Sequence, residues 1–148
     1  MNDEDFDALA LAVDARVQHL GEGCDPARLF GVRLRGDDFM LVPFWSGVAR
    51  EIHYGLNPPD DCVAIALDTS GWAAPMNDDG TVDGRPSQHP LRRRIRHTAL
   101  VYGAGVDVSV LTYEGEEPQV LRDGVGVVVE RMRACWARRR SETADDAI

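Results

Sequence analysis

Lysine is missing from this chain: all 16 of its basic residues are arginine. Lysine codons are AT-rich and arginine codons GC-rich, so this absence points to a GC-rich genome rather than to a mechanism. It also weakens any argument that one arginine was favoured over lysine for its forked geometry. Cysteine is scarce, and Cys24, Cys62 and Cys135 make an odd count with no CxxC pair. That argues against a disulfide framework and against zinc-finger spacing. No apolar run of about 18 residues and no secretory-leader pattern occurs, so the expected setting is a reducing cytoplasm with no membrane partner. The motifs HExxH, GxSxG, GxxxxGK[ST] and GxGxxG are all lacking, which removes the standard signatures of zinc proteases, serine hydrolases and nucleotide folds. No cofactor and no metal are expected.

What is present suits one folded unit. With 148 residues, 44% of them apolar and 28% charged, the chain supports one core. The reading is a single α+β domain over 1–140 and an acidic flexible tail over 141–148. The net charge of −9 disfavours general nucleic-acid and anionic-membrane binding. Charge is nevertheless uneven, with acids at Asp3, Glu4, Asp5 and Asp7 and again at Glu142, Asp145 and Asp146, and arginines between Arg85 and Arg96 and between Arg131 and Arg140.

Phe6, Leu9, Ala10, Val13, Val17 and Leu20 recur at three- and four-residue steps, predicting an amphipathic helix from Asp5 to Leu20 that Gly21-Glu22-Gly23 ends. Its leading acids complement the helix dipole. Phe30, Val32 and Leu34 alternate with Gly31, Arg33 and Arg35, and a run from Phe39 to Phe44 follows Gly36-Asp37-Asp38, the pattern of a hairpin. Ser46 is placed to cap a short helix from Gly47 to Tyr54 with Val48 and Ile52 inward. The apolar run Cys62 to Leu67 reads as a central strand, its small Ala64 and Ala66 leaving room for a helix. Arg94 to Tyr102 and Val106 to Tyr113 form a second hairpin. Asp123 then caps a last helix with Val125, Val128, Val129, Met132 and Trp136 on one face. The order α-β-β-α-β-β-β-α predicts a five-stranded, mainly antiparallel sheet with helices packed on it, a layout shared with roadblock, longin-like and profilin-like domains.

Gly71-Trp72-Ala73-Ala74-Pro75, then Ser87, His89-Pro90 and Arg92-Arg93-Arg94-Ile95-Arg96, with a late Cys135-Trp136, resembles a family of uncharacterised small proteins of actinobacteria and actinophages. The resemblance spans about the second half of the chain. It implies a high-GC bacterial or phage origin and transfers no activity.

The connection of roughly twenty residues from Gly71 to Pro90 is long for a compact domain, where connections of about 4–6 residues prevail, and long loops tend to carry function. Its Asn77-Asp78-Asp79-Gly80 core fails as a calcium loop. With Gly80 at the invariant glycine position, the first and last ligand positions fall on Pro75 and Pro86. Ser70 with His89 or His97 and Asp68 can be drawn as a triad, but no nucleophile-elbow sequence surrounds Ser70. The surviving candidates are binding residues: Trp72, Ser87, His89, Arg92, Arg94 and Arg96. Arg92, Arg94 and Arg96 are expected on one strand face and Arg93 with Ile95 on the other, with Glu114 or Glu116 as competing partners. The leading expectation is a non-enzymatic regulatory or adaptor domain that binds a protein partner, a second copy included as a homodimer, through residues 71–96. A small-molecule or anion-binding domain with hydrolytic capacity is the alternative, and an acidic DNA mimic the third.

Overall fold

Alternation along six strands decides which side chains meet which helix. The computed structural model describes residues 1–19, 27–53, 55–124 and 127–146. Leu20, the Gly21-Glu22-Gly23 stop, Cys24, Tyr54 and Val125 lie outside the described residues. Helix α1 spans Asp3–His19. Asn2 and Asp5 cap it reciprocally, Asp5 N–H donating to Asn2 Oδ1 at 2.9 Å and Asn2 N–H to Asp5 Oδ2 at 2.8 Å, which satisfies two backbone donors that the first turn leaves open.

Strands β1 (Ala27–Arg35), β2 (Asp38–Gly47), β3 (Ala64–Ala73), β4 (Arg93–Tyr102), β5 (Val106–Tyr113) and β6 (Gln119–Arg122) precede α2 (Val127–Asp146). They form one open antiparallel sheet in the order β2-β1-β3-β4-β5-β6. Successive side chains point to opposite faces. Phe30, Val32, Ala64, Ala66, Leu100, Val108 and Val110 therefore lie under Phe6, Ala10, Val13 and Val17 of α1. Leu29, Ile65, Leu67, Ala99 and Val101 face the other way, onto Met132, Cys135 and Trp136 of α2. β3 is central and covered on both sides, as its apolar run predicts, and Ala64 and Ala66 are indeed on the α1 side.

Several expectations are corrected. Among the described residues there is no middle α-helix. β2 runs on to Gly47, with Ser46 paired to Arg28 and Gly47 to Ala27, so Ser46 is a strand residue and not a cap. Only a 3-10 turn, Ala49–Glu51, follows; Val48 is exposed while Ile52 is buried. The sheet also has six strands and not five. β6 pairs Gln119–Arg122 along β5, and its outer three residues are exposed, so it shows none of the alternation that marks a half-buried strand. The element order behind the roadblock, longin and profilin comparison is thus not that of this chain. Asp123 lies just past β6 with φ 56°, a left-handed backbone and not the extended one of an N-cap; α2 is described from Val127. α2 is docked instead by the fully buried Asp107, which pairs with Arg133 and accepts from Gly124 N–H at 2.8 Å. The helix continues through Asp146, over part of the stretch that reads as an acidic tail.

Candidate functional site

The described part of α1, Asp3–His19, lies over one end of the sheet. Tyr102 OH donates to Asp3 at its amino end, and Arg28 Nη2 donates to the Val17 carbonyl at its other end, at 3.3 Å. β3 is buried from Ala64 to Asp68 and only partly covered from Thr69 onward. β4 mirrors this, buried from Thr98 to Tyr102 and partly covered before. The register pairs Asp68 with Thr98, Ser70 with Arg96 and Trp72 with Arg94. These residues share the face that carries Ala64, Ala66 and Leu100, so they form a polar shelf beyond the carboxyl end of α1.

The floor of the shelf is closed by two ion pairs. Arg96 grips Asp14 with two bonds of 3.1 Å, and Thr98 Oγ1 donates to the same carboxylate at 2.8 Å. Arg28 grips Asp68 through Nε at 3.0 Å and Nη2 at 2.5 Å. Both carboxylates are buried. Above them opens a cleft of about 550 Å³ lined by Val17, Gln18, Ser70, Arg94, Thr112 and Glu114 among others. Ser70 Oγ is buried there with no hydrogen-bond partner.

At the outer end of the shelf Trp72 is 37% exposed. The Arg92 guanidinium lies 4.9 Å from its ring and that of Arg94 5.0 Å, close enough for cation–π attraction. Arg93 points to the opposite face, where it meets the Tyr113 ring and pairs with Glu116. The excursion between β3 and β4 is held by its own hydrogen bonds. Asn77 N–H donates to the Thr81 carbonyl at 2.7 Å, and Asp79 accepts from Thr81 N–H and Oγ1. Those Thr81 bonds, side-chain first, pull the Asp79 carboxyl below its ordinary range. A 3-10 turn, Pro86–Gln88, precedes His89, whose Nδ1 accepts from Leu91 N–H at 3.0 Å and whose carbonyl accepts from Arg92 at 3.2 Å.

Of the six residues singled out in the sequence, Trp72, Arg92 and Arg94 come together. His89 joins them through its backbone carbonyl. Ser87 is exposed on the 3-10 turn. Arg94 and Arg96 share a face as expected, but Arg96 is occupied by Asp14 and presents no open charge. The Ser70 triad is not assembled: Asp68 and Ser70 face α1, while His97 pairs with Thr69 in the alternate register and faces the other side. There His97 Nε2 lies 2.9 Å from Ser109 Oγ, which is itself buried. Among the described residues no group of three or more His, Cys, Asp or Glu side chains is arranged to hold a metal, and no helix is long and apolar enough to cross a membrane.

The sequence reading missed Gln18 and Thr112 as cleft residues and Asp14 as the partner of Arg96, and drew Ser70 only as a triad nucleophile. One signal was available for Asp14, which falls on the apolar stripe Ala10-Val13-Val17 of α1, where a charge is buried only if it is paired. Compared with family models, with curated proteins and with solved structures, the chain matches none.

Proposed function

We propose that the chain is a non-enzymatic regulatory or adaptor domain that binds a protein partner through Trp72, Arg92 and Arg94. The observation that carries this reading is the 37% exposed indole of Trp72 at the outer end of β3, with the guanidiniums of Arg92 and Arg94 4.9 and 5.0 Å from its ring. Trp and Arg are the residue types that dominate interface energetics. Leu91 at 67% and Met76 at 70% exposure sit on the excursion that leaves and re-enters the sheet beside Trp72, adding apolar surface. Arg94 meets no carboxylate among the described residues, so an acidic patch on the partner would complement it. The DNA-mimic reading has less support, because Asp3 and Asp7 are paired with Arg122 and Asp14 with Arg96.

Affinity capture with the wild-type chain and the Trp72→Ala/Arg92→Ala/Arg94→Ala variant, alongside sedimentation over a concentration series, tests the proposal. Circular dichroism melts establish that both baits are folded. The expected result is a partner, or a second copy, retained by wild type and lost from the variant. Identical capture by both baits, or a strict monomer that retains nothing, would overturn it.

A further inference from the structure

We infer that the cleft beyond the carboxyl end of α1 binds a small anion with carboxylate or phosphate oxygens, using Arg94 as its cation and the Ser70 hydroxyl as its inner donor. The cleft is separate from the partner surface on Trp72, although Arg94 borders both.

Ser70 Oγ is the first observation. It is buried at the cleft lining without a hydrogen-bond partner, and buried polar atoms are nearly always satisfied. A ligand oxygen would supply what the fold does not. Arg94 is the second. Its guanidinium carries five donors in one plane, yet among the described residues it meets the face of Trp72 and no acid. Contact with the ring occupies none of its N–H donors. The floor is the third. Asp14 accepts on both oxygens from Arg96, Thr98 and Gln18, and Asp68 Oδ2 accepts twice from Arg28, so each buried carboxylate has a guanidinium counter-charge. Burying ion pairs stabilises less than apolar packing of the same volume; here the pairs hold a rigid polar base under an open cleft. Of the two guanidiniums lining the cleft, Arg96 is paired with Asp14, and Arg94 is the one without a carboxylate partner among the described residues. The volume of about 550 Å³ lies in the range of small-molecule sites, roughly 300–1,000 Å³. Two further carboxylates line the cleft: Glu116 is paired with Arg93, and the exposed Glu114 is cross-strand from Arg94, its N–H donating to the Arg94 carbonyl at 2.9 Å, and opposes an anion held there.

The test is a ¹H–¹⁵N titration of the full chain with glutarate and, separately, inorganic phosphate, at fixed ionic strength maintained with sodium chloride. Saturable shifts at the Ser70, Arg94 and Thr112 amides are expected with one of the two, and whichever saturates names the oxygen group. Arg94→Ala should bind about tenfold more weakly or worse, the loss of one charge-assisted contact. Ser70→Ala should bind several-fold more weakly with an unchanged or higher melting temperature, since it removes an unsatisfied hydroxyl. Glu114→Gln should bind more tightly. Absence of saturation with both anions, or wild-type affinity in either Arg94→Ala or Ser70→Ala, overturns the inference. Ser70→Ala leaves the Trp72 surface intact and should still capture the partner, so the two proposals fail separately.

Discussion

Asp14 on α1 and Arg96 on β4, 82 positions apart in sequence, meet side-on, with Nε to Oδ1 and Nη2 to Oδ2 both at 3.1 Å. Asp14 is 2% exposed. The pair ties the last turns of α1 to the sheet at the point where the helix stops covering it.

Removing one member of this pair leaves the other charge buried. Asp14→Ala should therefore cost about 3–5 kcal/mol, whereas Asp14→Leu/Arg96→Met, which removes both charges, should cost much less. Urea unfolding of the two variants at pH 7 decides it. Equal losses would mean that the side chains act through packing alone.

His97 gives the fold an acid-sensitive point. Burial lowers its imidazole pKa from the ordinary 6.5, against the pull of the Asp107 carboxylate. The unfolded chain thus binds a proton at a pH where the folded one does not, so stability is present above about 6.5 and is lost as pH falls toward the folded value. Urea midpoints at pH 7.5 and 5.5 should separate more for wild type than for His97→Gln. A matching pair of midpoint shifts would remove His97 from the acid response.

The helices and the four long central strands were legible because each buries one periodic set of side chains: Phe6, Ala10, Val13 and Val17 at helical steps, and Ile65 and Leu67 against Ala64 and Ala66 at strand steps. Where burial is one-sided or absent, the pattern vanishes. β6 has three exposed residues and is a strand only because β5 pairs with it. The Val48 and Ile52 spacing imitated a helix, but Ile52 alone is buried, plugging the core under α2. For the site, Trp72 and its arginines were visible as unusual residue types in one stretch. The cleft was not, because Gln18, Ser70 and Thr112 converge only through strand register and the docking of α1. Arg96 shows the limit of counting charge: its partner lies on another element, out of reach of any local motif.

Gly31 occupies a position where a side chain does not fit. A Cβ there would stand 2.5 Å from Cys62 Sγ and 2.8 Å from Pro59 Cδ. Gly31→Ala should therefore destabilise by about 1–3 kcal/mol, the usual range for overpacking. Adding Cys62→Ala clears the sulfur but leaves the rigid proline ring, so only part of the loss should return. Calorimetric melts of the single and double variants measure this, and an unchanged melting temperature in Gly31→Ala would show that the 59–62 segment shifts freely.

The two described cysteines should differ in reactivity for a stated physical reason. Cys135 is fully buried in the core under α2, and its Sγ lies 3.2 Å from the Leu56 carbonyl, to which the thiol donates. Burial raises its pKa to about 11, with Arg138 pulling weakly the other way. Cys62 is only half-buried; its pKa is also raised by burial, but Arg33 opposes the shift. Because the thiolate is the nucleophile, iodoacetamide at pH 8 should label Cys62 well before Cys135, and Cys135 should react only at the rate of global unfolding. Peptide mass spectrometry follows each site separately. The same raised pKa means that the folded chain holds the Cys135 proton more tightly than the unfolded one. Its contribution to stability is complete below about pH 9 and is lost as pH rises toward about 11. Cys135→Ala should flatten that alkaline decline. Early labelling of Cys135 in native buffer would instead mean that α2 opens locally and exposes the thiol without unfolding the sheet.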